Sequence, residues 1–171
     1  MLQEVTTWFL RSLIFMLPPY VANASPLVFS RVIKTCHPLD FGLFFVDGRR
    51  ILGDGKTVEG FIVGVAAGTL VGAALVVFRL HTLTSSFVLS LGALTGDALG
   101  SFVKRRLCFK RGEHAVFLDE LPFIITAFAL HTVLITSVTP DLWLAALIIT
   151  PPLHIATNRI AEVIGVRKNK A

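Results

Sequence analysis

Asp97 is a carboxylate set inside an apolar run, seven residues before the basic cluster Lys104-Arg105-Arg106. On a helix that spacing buries it about 10 Å below the basic end. A carboxylate at such depth is costly unless it is paired or hydrated. Asp97, Ser101 and Lys104 follow an i, i+4, i+7 pattern and so share one helix face. That face offers a carboxylate, a hydroxyl and an ammonium in order, a strip suited to a metal and phosphates; the competing reading is a structural salt bridge. A second cluster is Gly53-Asp54-Gly55-Lys56-Thr57-Val58-Glu59-Gly60. Glycines followed by Lys and Thr at a helix start expose backbone N–H groups and the positive dipole end to an anion. It is not a Walker A loop, because Arg50 stands where the first glycine is required. The plainer reading is a glycine-rich loop with Lys56 at the membrane surface. A third cluster is Phe117-Leu118-Asp119-Glu120-Leu121-Pro122. Asp119 could be a helix N-cap, or a second metal carboxylate beside Asp97, since Mg²⁺ commonly takes one or two carboxylates together with substrate phosphates. Asn23, and His154 with Asn158 at i, i+4, are polar residues at similar depth; for His154 an interhelical hydrogen bond is the favoured reading.

The elements that must carry these residues are membrane helices. Of 171 residues 54% are hydrophobic and 16% charged, where a soluble domain has about 25% charged. The mean hydropathy is +0.74. Apolar runs predict five transmembrane helices, over residues 5–29, 57–80, 83–103, 120–138 and 142–164. The pairs Pro18-Pro19 and Pro151-Pro152 should kink the first and last. The expected fold is all-α and integral to the membrane, a single domain over residues 1–171. Ala22-Asn23-Ala24 has the look of a signal-peptidase site, but Glu4, Arg11 and the lack of a basic leader favour an uncleaved first helix.

Most Lys and Arg fall in two long loops, 30–56 and 104–119, and in a tail with Arg167, Lys168 and Lys170. The positive-inside rule then puts both loops and the C-terminus in the cytoplasm and the N-terminus outside. The net charge of +5 is read as this bias rather than as a nucleic-acid footprint, and it would also draw phosphate-bearing substrates. Cys36 and Cys108 fall in the cytoplasmic loops, so no disulfide is expected. Gly60, Gly64, Gly68 and Gly72, and then Gly92, Gly96 and Gly100, recur every fourth residue. Small residues at that spacing let helices approach closely in a bilayer; the expectation is that the second and third helices are tightly apposed.

Three segments, in order, resemble those of the membrane CTP:phosphatidate cytidylyltransferases, the CDP-diacylglycerol synthases. Lys56-Thr57-x-Glu59-Gly60 is similar to their KTxEG segment, and Gly96-Asp97-x-x-x-Ser101-x-x-Lys104-Arg105 to their GDxxxSxxKR segment. Leu118-Asp119 before a helix looks like the end of their signature. The chain departs from the bacterial pattern here: that pattern has His-Gly-Gly before the Asp and Asp-Arg-x-Asp around it, where this chain reads Glu113-His114-Ala115-Val116-Phe117-Leu118-Asp119-Glu120. The length and the Asp47-Gly48-Arg49-Arg50 run before Gly53 resemble the archaeal branch, the CDP-archaeol synthases.

The resemblance implies transfer of CMP from CTP to a phosphorylated isoprenoid glycerol (ether) lipid in the bilayer, with Mg²⁺, releasing pyrophosphate for phospholipid biosynthesis. It implies Asp97, Lys104 and Asp119 as catalytic residues, with Asp97 and Asp119 on the metal. Asn23, Gly55, Lys56, Thr57, Glu59, Ser101, Arg105 and Glu120 are then the candidate substrate-binding residues. A lipid phosphate is already ionised at neutral pH, so no general base is needed; the difficulty is bringing two anions together. Two rivals are a CDP-alcohol phosphotransferase, whose DGxxAR motif Asp47-Gly48-Arg49-Arg50 only begins, and a small transporter with broken first and last helices.

Overall fold

The computed structural model describes residues 1–30, 32, 36–109, 113, 115 and 117–163. The side chains of His154 and Asn158 lie outside that description, as do Arg31, Lys34, Lys110, Arg111, Arg167, Lys168 and Lys170 among the charges counted above. The described residues form five helices: α1 (Leu2–Phe29), α2 (Val58–Val77), α3 (Leu83–Arg106), α4 (Pro122–Leu134) and α5 (Pro140–Val163). Stretches Gln3–Phe29, Val58–Val77 and Leu83–Arg106 are long and apolar enough to cross a bilayer. Neither proline pair interrupts its helix: Pro18-Pro19 sit inside α1 and Pro151-Pro152 inside α5.

The fourth helix is shorter than its apolar run suggests. It has 13 residues, a rise of about 20 Å against a hydrocarbon core of about 30 Å. At its start, Asp119 N–H bonds to Ala115 O and Leu121 N–H to Phe117 O, so residues 117–121 form turns, and the helix begins at Pro122. At its end, Ile135 and Thr136 both donate to His131 O, while His131 Nδ1 lies 3.0 Å from Thr136 O. These bonds divert the backbone short of residue 138, where the apolar run was expected to end.

The glycine stripes set the helix order. A Cβ on Gly64 would come within 2.7 Å of Ala22 O, and one on Gly68 within 2.6 Å of Pro18 O, so α2 lies backbone to backbone on α1. Gly64, Gly68 and Gly72 meet Leu94, Ser90 and Ser86 of α3 respectively. The stripe on α3 does not face α2, as the spacing alone suggested. A Cβ on Gly92 would come within 2.6 Å of Ala127 Cα, one on Gly96 within 2.8 Å of Phe123 Cα, and one on Gly100 within 2.8 Å of Leu118 O, all on the α4 side. What α3 turns toward α2 is Leu94 and two serines. Ser86 and Ser90 hydroxyls donate to the carbonyls of Thr82 and Ser86, which satisfies them within the helix.

These contacts make α1–α2, α2–α3 and α3–α4 antiparallel neighbours. Helix α5 runs parallel to α1: Thr139 and Leu142 line a cavity with Thr7 and Arg11, and Thr150 Oγ1 is 2.8 Å from Tyr20 Oη. The described residues of the loop between α1 and α2, those between α3 and α4, and the C-terminal end of α5 therefore share one end of the bundle. Met16, Leu89, Ile124 and Phe128 form the centre of the core, each fully or nearly fully buried.

Candidate active site

The loop between α1 and α2 is built to deliver Lys56. Pro38 and Thr57 form an antiparallel bridge. Leu39 N–H donates to Lys56 O at 2.8 Å and Val58 N–H to His37 O at 2.9 Å. Glu59 fastens the same seam, its carboxylate accepting from His37 N–H at 2.9 Å and meeting His37 Nδ1 at 2.5 Å. Thr57 is the N-cap of α2, its Oγ1 accepting from Gly60 N–H at 3.1 Å. Lys56 thus stands immediately before a capped helix N-terminus, where the dipole is positive. Gly55 is exposed, with open space where a Cβ would sit.

From that position Lys56 Nζ reaches α3 and donates to Asp97 Oδ2, both side chains being 28% exposed. The i, i+4, i+7 face of α3 is present, but its members have different partners. Ser101 Oγ donates to the Asp97 carbonyl at 3.1 Å. Lys104, buried, turns to the 113–121 segment and donates to Asp119 Oδ1 at 2.7 Å and to Glu113 O at 2.6 Å. Asp119 Oδ2 in turn accepts from Ala115 N–H at 3.0 Å, closing its own turn. Asp119 is therefore not the N-cap of α4; that position is Leu121, which has no side-chain cap. Glu120, next in the chain, is 3% exposed. Arg105 is half-buried at the end of α3. Asn23 is half-buried on α1, between the residues that touch Gly60 and Gly64.

The site's second layer has no strong sequence signal. Arg106 is stacked against both Phe45 and Phe102, with its carbon 4.8 Å from each ring centroid. It pairs with Asp47 at 3.1 Å and donates to Arg50 O at 2.7 Å. Arg49 answers by donating to Arg106 O at 2.8 Å. The first loop is thereby clamped to the end of α3. Within the loop, the Asp40 carboxylate binds Arg50 and three backbone amides. Only the Asp40-Phe41-Gly42 turn signature could have pointed to it.

Among the described residues no group of three or more His, Cys, Asp or Glu side chains is gathered as a metal cage. Asp97 and Asp119 instead each hold a lysine. Hard carboxylate oxygens suit Mg²⁺, which takes few protein ligands and completes its shell with phosphates and water.

Two lysine–carboxylate pairs at one end of a membrane bundle, one beside a helix N-terminus, are an arrangement that suits a membrane protein acting on polyanionic ligands. The family model for CarS-like CDP-archaeol synthase matches residues 5–170. The CDP-archaeol synthase of Thermofilum pendens is 48% identical over 160 residues, 92% of this chain and 78% of its own. That of Pyrobaculum islandicum is 48% identical over 152 residues, 88% of this chain and 92% of its own. A solved structure of an intramembrane enzyme for archaeal membrane lipids biosynthesis has a TM-score of 0.76 at 42% identity, covering 88% of this chain and 94% of that one. The chain belongs to the CDP-archaeol synthase family, and is a CTP-dependent nucleotidyltransferase integral to the membrane. That membership sets aside the phosphotransferase and transporter readings.

Proposed function

We propose that this chain forms CDP-archaeol by moving CMP from CTP onto archaetidic acid, at the end of the bundle where Lys56 meets Asp97. An oxygen of the lipid phosphate attacks the α-phosphorus of CTP. The bond from that phosphorus to the β-bridging oxygen breaks, and pyrophosphate leaves with the bonding electrons. The lipid phosphate is already an anion, so the protein's task is to lower the repulsion between reactants. Lys56, Gly55 and the α2 N-terminus capped by Thr57 take the triphosphate, while Glu59 holds the seam that places them. Lys104, Arg105 and Ser101 meet the phosphates from α3. Asn23 and Glu120 border the same space from α1 and the turn before α4. Asp97 and Asp119 would hold Mg²⁺, which when bound would supply charge neutralisation at the triphosphate. Lys56 and Lys104, which pair with those two carboxylates, are placed to meet the phosphates of the substrates. The lipid chains stay in the bilayer.

The whole chain acts as one membrane-embedded domain, with the site and C-terminus cytoplasmic and the N-terminus outside. Loop basicity supports that orientation. The observation that carries the reading is the Lys56–Asp97 pair, which joins the two segments that resemble cytidylyltransferase motifs. The test is incorporation of α-phosphate label from CTP into archaetidic acid by purified protein in lipid nanodiscs. Label should enter lipid with Mg²⁺ and fail to do so with excess chelator; no incorporation in either condition would reject the reading.

A further inference from the structure

Lys56 owes its aim to a turn, and the turn depends on one carboxylate. The Asp40 side chain is completely buried in the loop between α1 and α2. Its Oδ2 accepts from Leu52 N–H and Gly53 N–H, both at 2.9 Å, and from Arg50 Nε at 3.2 Å. Its Oδ1 accepts from Arg50 Nη2 at 2.6 Å and from Gly42 N–H at 3.1 Å. Arg50 spends its remaining nitrogen on Asp54, at 2.8 Å. Burial alone would raise the Asp40 pKa; the bonds from Arg50 and the three amides outweigh it and hold the carboxyl well below the usual carboxylate range. A buried, ionised carboxylate with four donor groups fixes the chain at residues 42, 50, 52 and 53 together.

Gly53 is where this grip becomes a direction. Its φ of +90° suits glycine, and its carbonyl accepts from Lys56 N–H at 3.3 Å. The Lys56 carbonyl then pairs with Leu39, the residue beside Asp40. Asp40 therefore holds both sides of the backbone bridge beside which the Lys56 side chain departs.

We propose that Asp40, with Arg50 as its counter-ion, is the positioning residue that sets Lys56 for the phosphates of CTP. This rests on the reading of Lys56 given above. Asp40 itself touches no substrate. Without it Lys56 keeps its chemistry but loses its place, and apparent CTP affinity falls by the fraction of molecules still holding the turn.

The test compares Asp40→Asn, Arg50→Lys and Lys56→Ala in nanodiscs. It reads KM for CTP and for lipid, and hydrogen exchange along the chain. A turn held in about one molecule in ten raises KM for CTP about tenfold. Asp40→Asn should do this with lipid KM unchanged, and amide exchange should accelerate over residues 52–56 while α1 to α3 stay protected. Arg50→Lys keeps the charge but loses the bidentate fork, so it should move both readings the same way by less. Unchanged CTP KM in Asp40→Asn, alongside a raised one in Lys56→Ala, overturns the proposal and spares the reading of Lys56. Unchanged CTP KM in Lys56→Ala overturns both. Accelerated exchange throughout the helices makes Asp40 a general folding residue and also overturns the proposal; if Asp40→Asn does not fold, Arg50→Lys decides by the same two readings.

Discussion

Removing the cation from the Lys104–Asp119 pair should damage both stability and catalysis, and the structure sets the scale of the first. The side chains are 11% and 22% exposed and the contact is 2.7 Å. At an effective dielectric of about 20, unit charges at 2.7 Å attract by about 6 kcal/mol, most of which offsets their desolvation. Exposed pairs contribute about 0–1 kcal/mol, and breaking a fully buried one costs about 3–5; this pair falls between, at about 2–3 kcal/mol for Lys104→Met. That change keeps the apolar stem but strands the Asp119 carboxylate and the Glu113 carbonyl. Asp119→Asn retains an acceptor for Lys104 and should cost about 1 kcal/mol less, roughly one hydrogen bond's worth. For a chain of this size each kcal/mol lowers Tm by about 2–4 °C. The double variant should be less destabilised than the sum of the singles by at least about 1 kcal/mol, well outside the scatter of about 0.5 for independent sites. Thermal unfolding followed by Trp8 and Trp143 fluorescence, in detergent, measures all four corners of the cycle. Label transfer from CTP should fall at least about a hundredfold in each single variant, equivalent to about 2.7 kcal/mol of transition-state stabilisation. Additive singles would refute the pairing, and near-normal turnover in Lys104→Met would refute its role in the site.

Asp97→Asn removes the charge that Lys56 faces but keeps the shape; the expected result is loss of label transfer with Tm within a few degrees of the parent, and retained turnover would take Asp97 out of the chemistry. Gly96→Leu drives a side chain into the backbone of Pro122 and Phe123, so it should part α3 from α4 and leave protein that aggregates on extraction; a normal, monodisperse elution profile would contradict the packing. Cys108 is exposed at the end of α3, so an impermeant maleimide should leave it unlabelled in sealed right-side-out vesicles, and Arg79→Cys, in the turn between α2 and α3, should react at once; the opposite pattern would invert the proposed orientation.

The helices were legible because long apolar runs leave few alternatives in lipid, and α1, α2, α3 and α5 lie close to where those runs place them. The length of α4 was not. It depends on bonds to the His131 carbonyl and on turns around Asp119, which hydropathy does not register. The role of the α3 stripe was also misread, since periodicity says that small residues share a face but not which neighbour the face meets. The site was legible as residue types on three segments. Their pairing was not: Asp97 and Lys104 share a face, yet each bonds to a different segment. The parts played by Asp40, Arg49 and Arg106 were not legible, because each binds main-chain groups across the loop, and such contacts leave little periodic trace.

The short fourth helix has a consequence for the bilayer itself. Lipids packed against a rise of about 20 Å meet hydrophobic mismatch of about 10 Å, which a membrane relieves by thinning locally. Because α4 begins level with Gly96 and Gly100, thinning matched to its length would fall on the side of α3 that carries Lys104 and Asp119. A monolayer thinned there would bring the headgroup plane toward the depth of Asp97, and a lipid phosphate would reach the nucleotide with its chains still in the hydrocarbon.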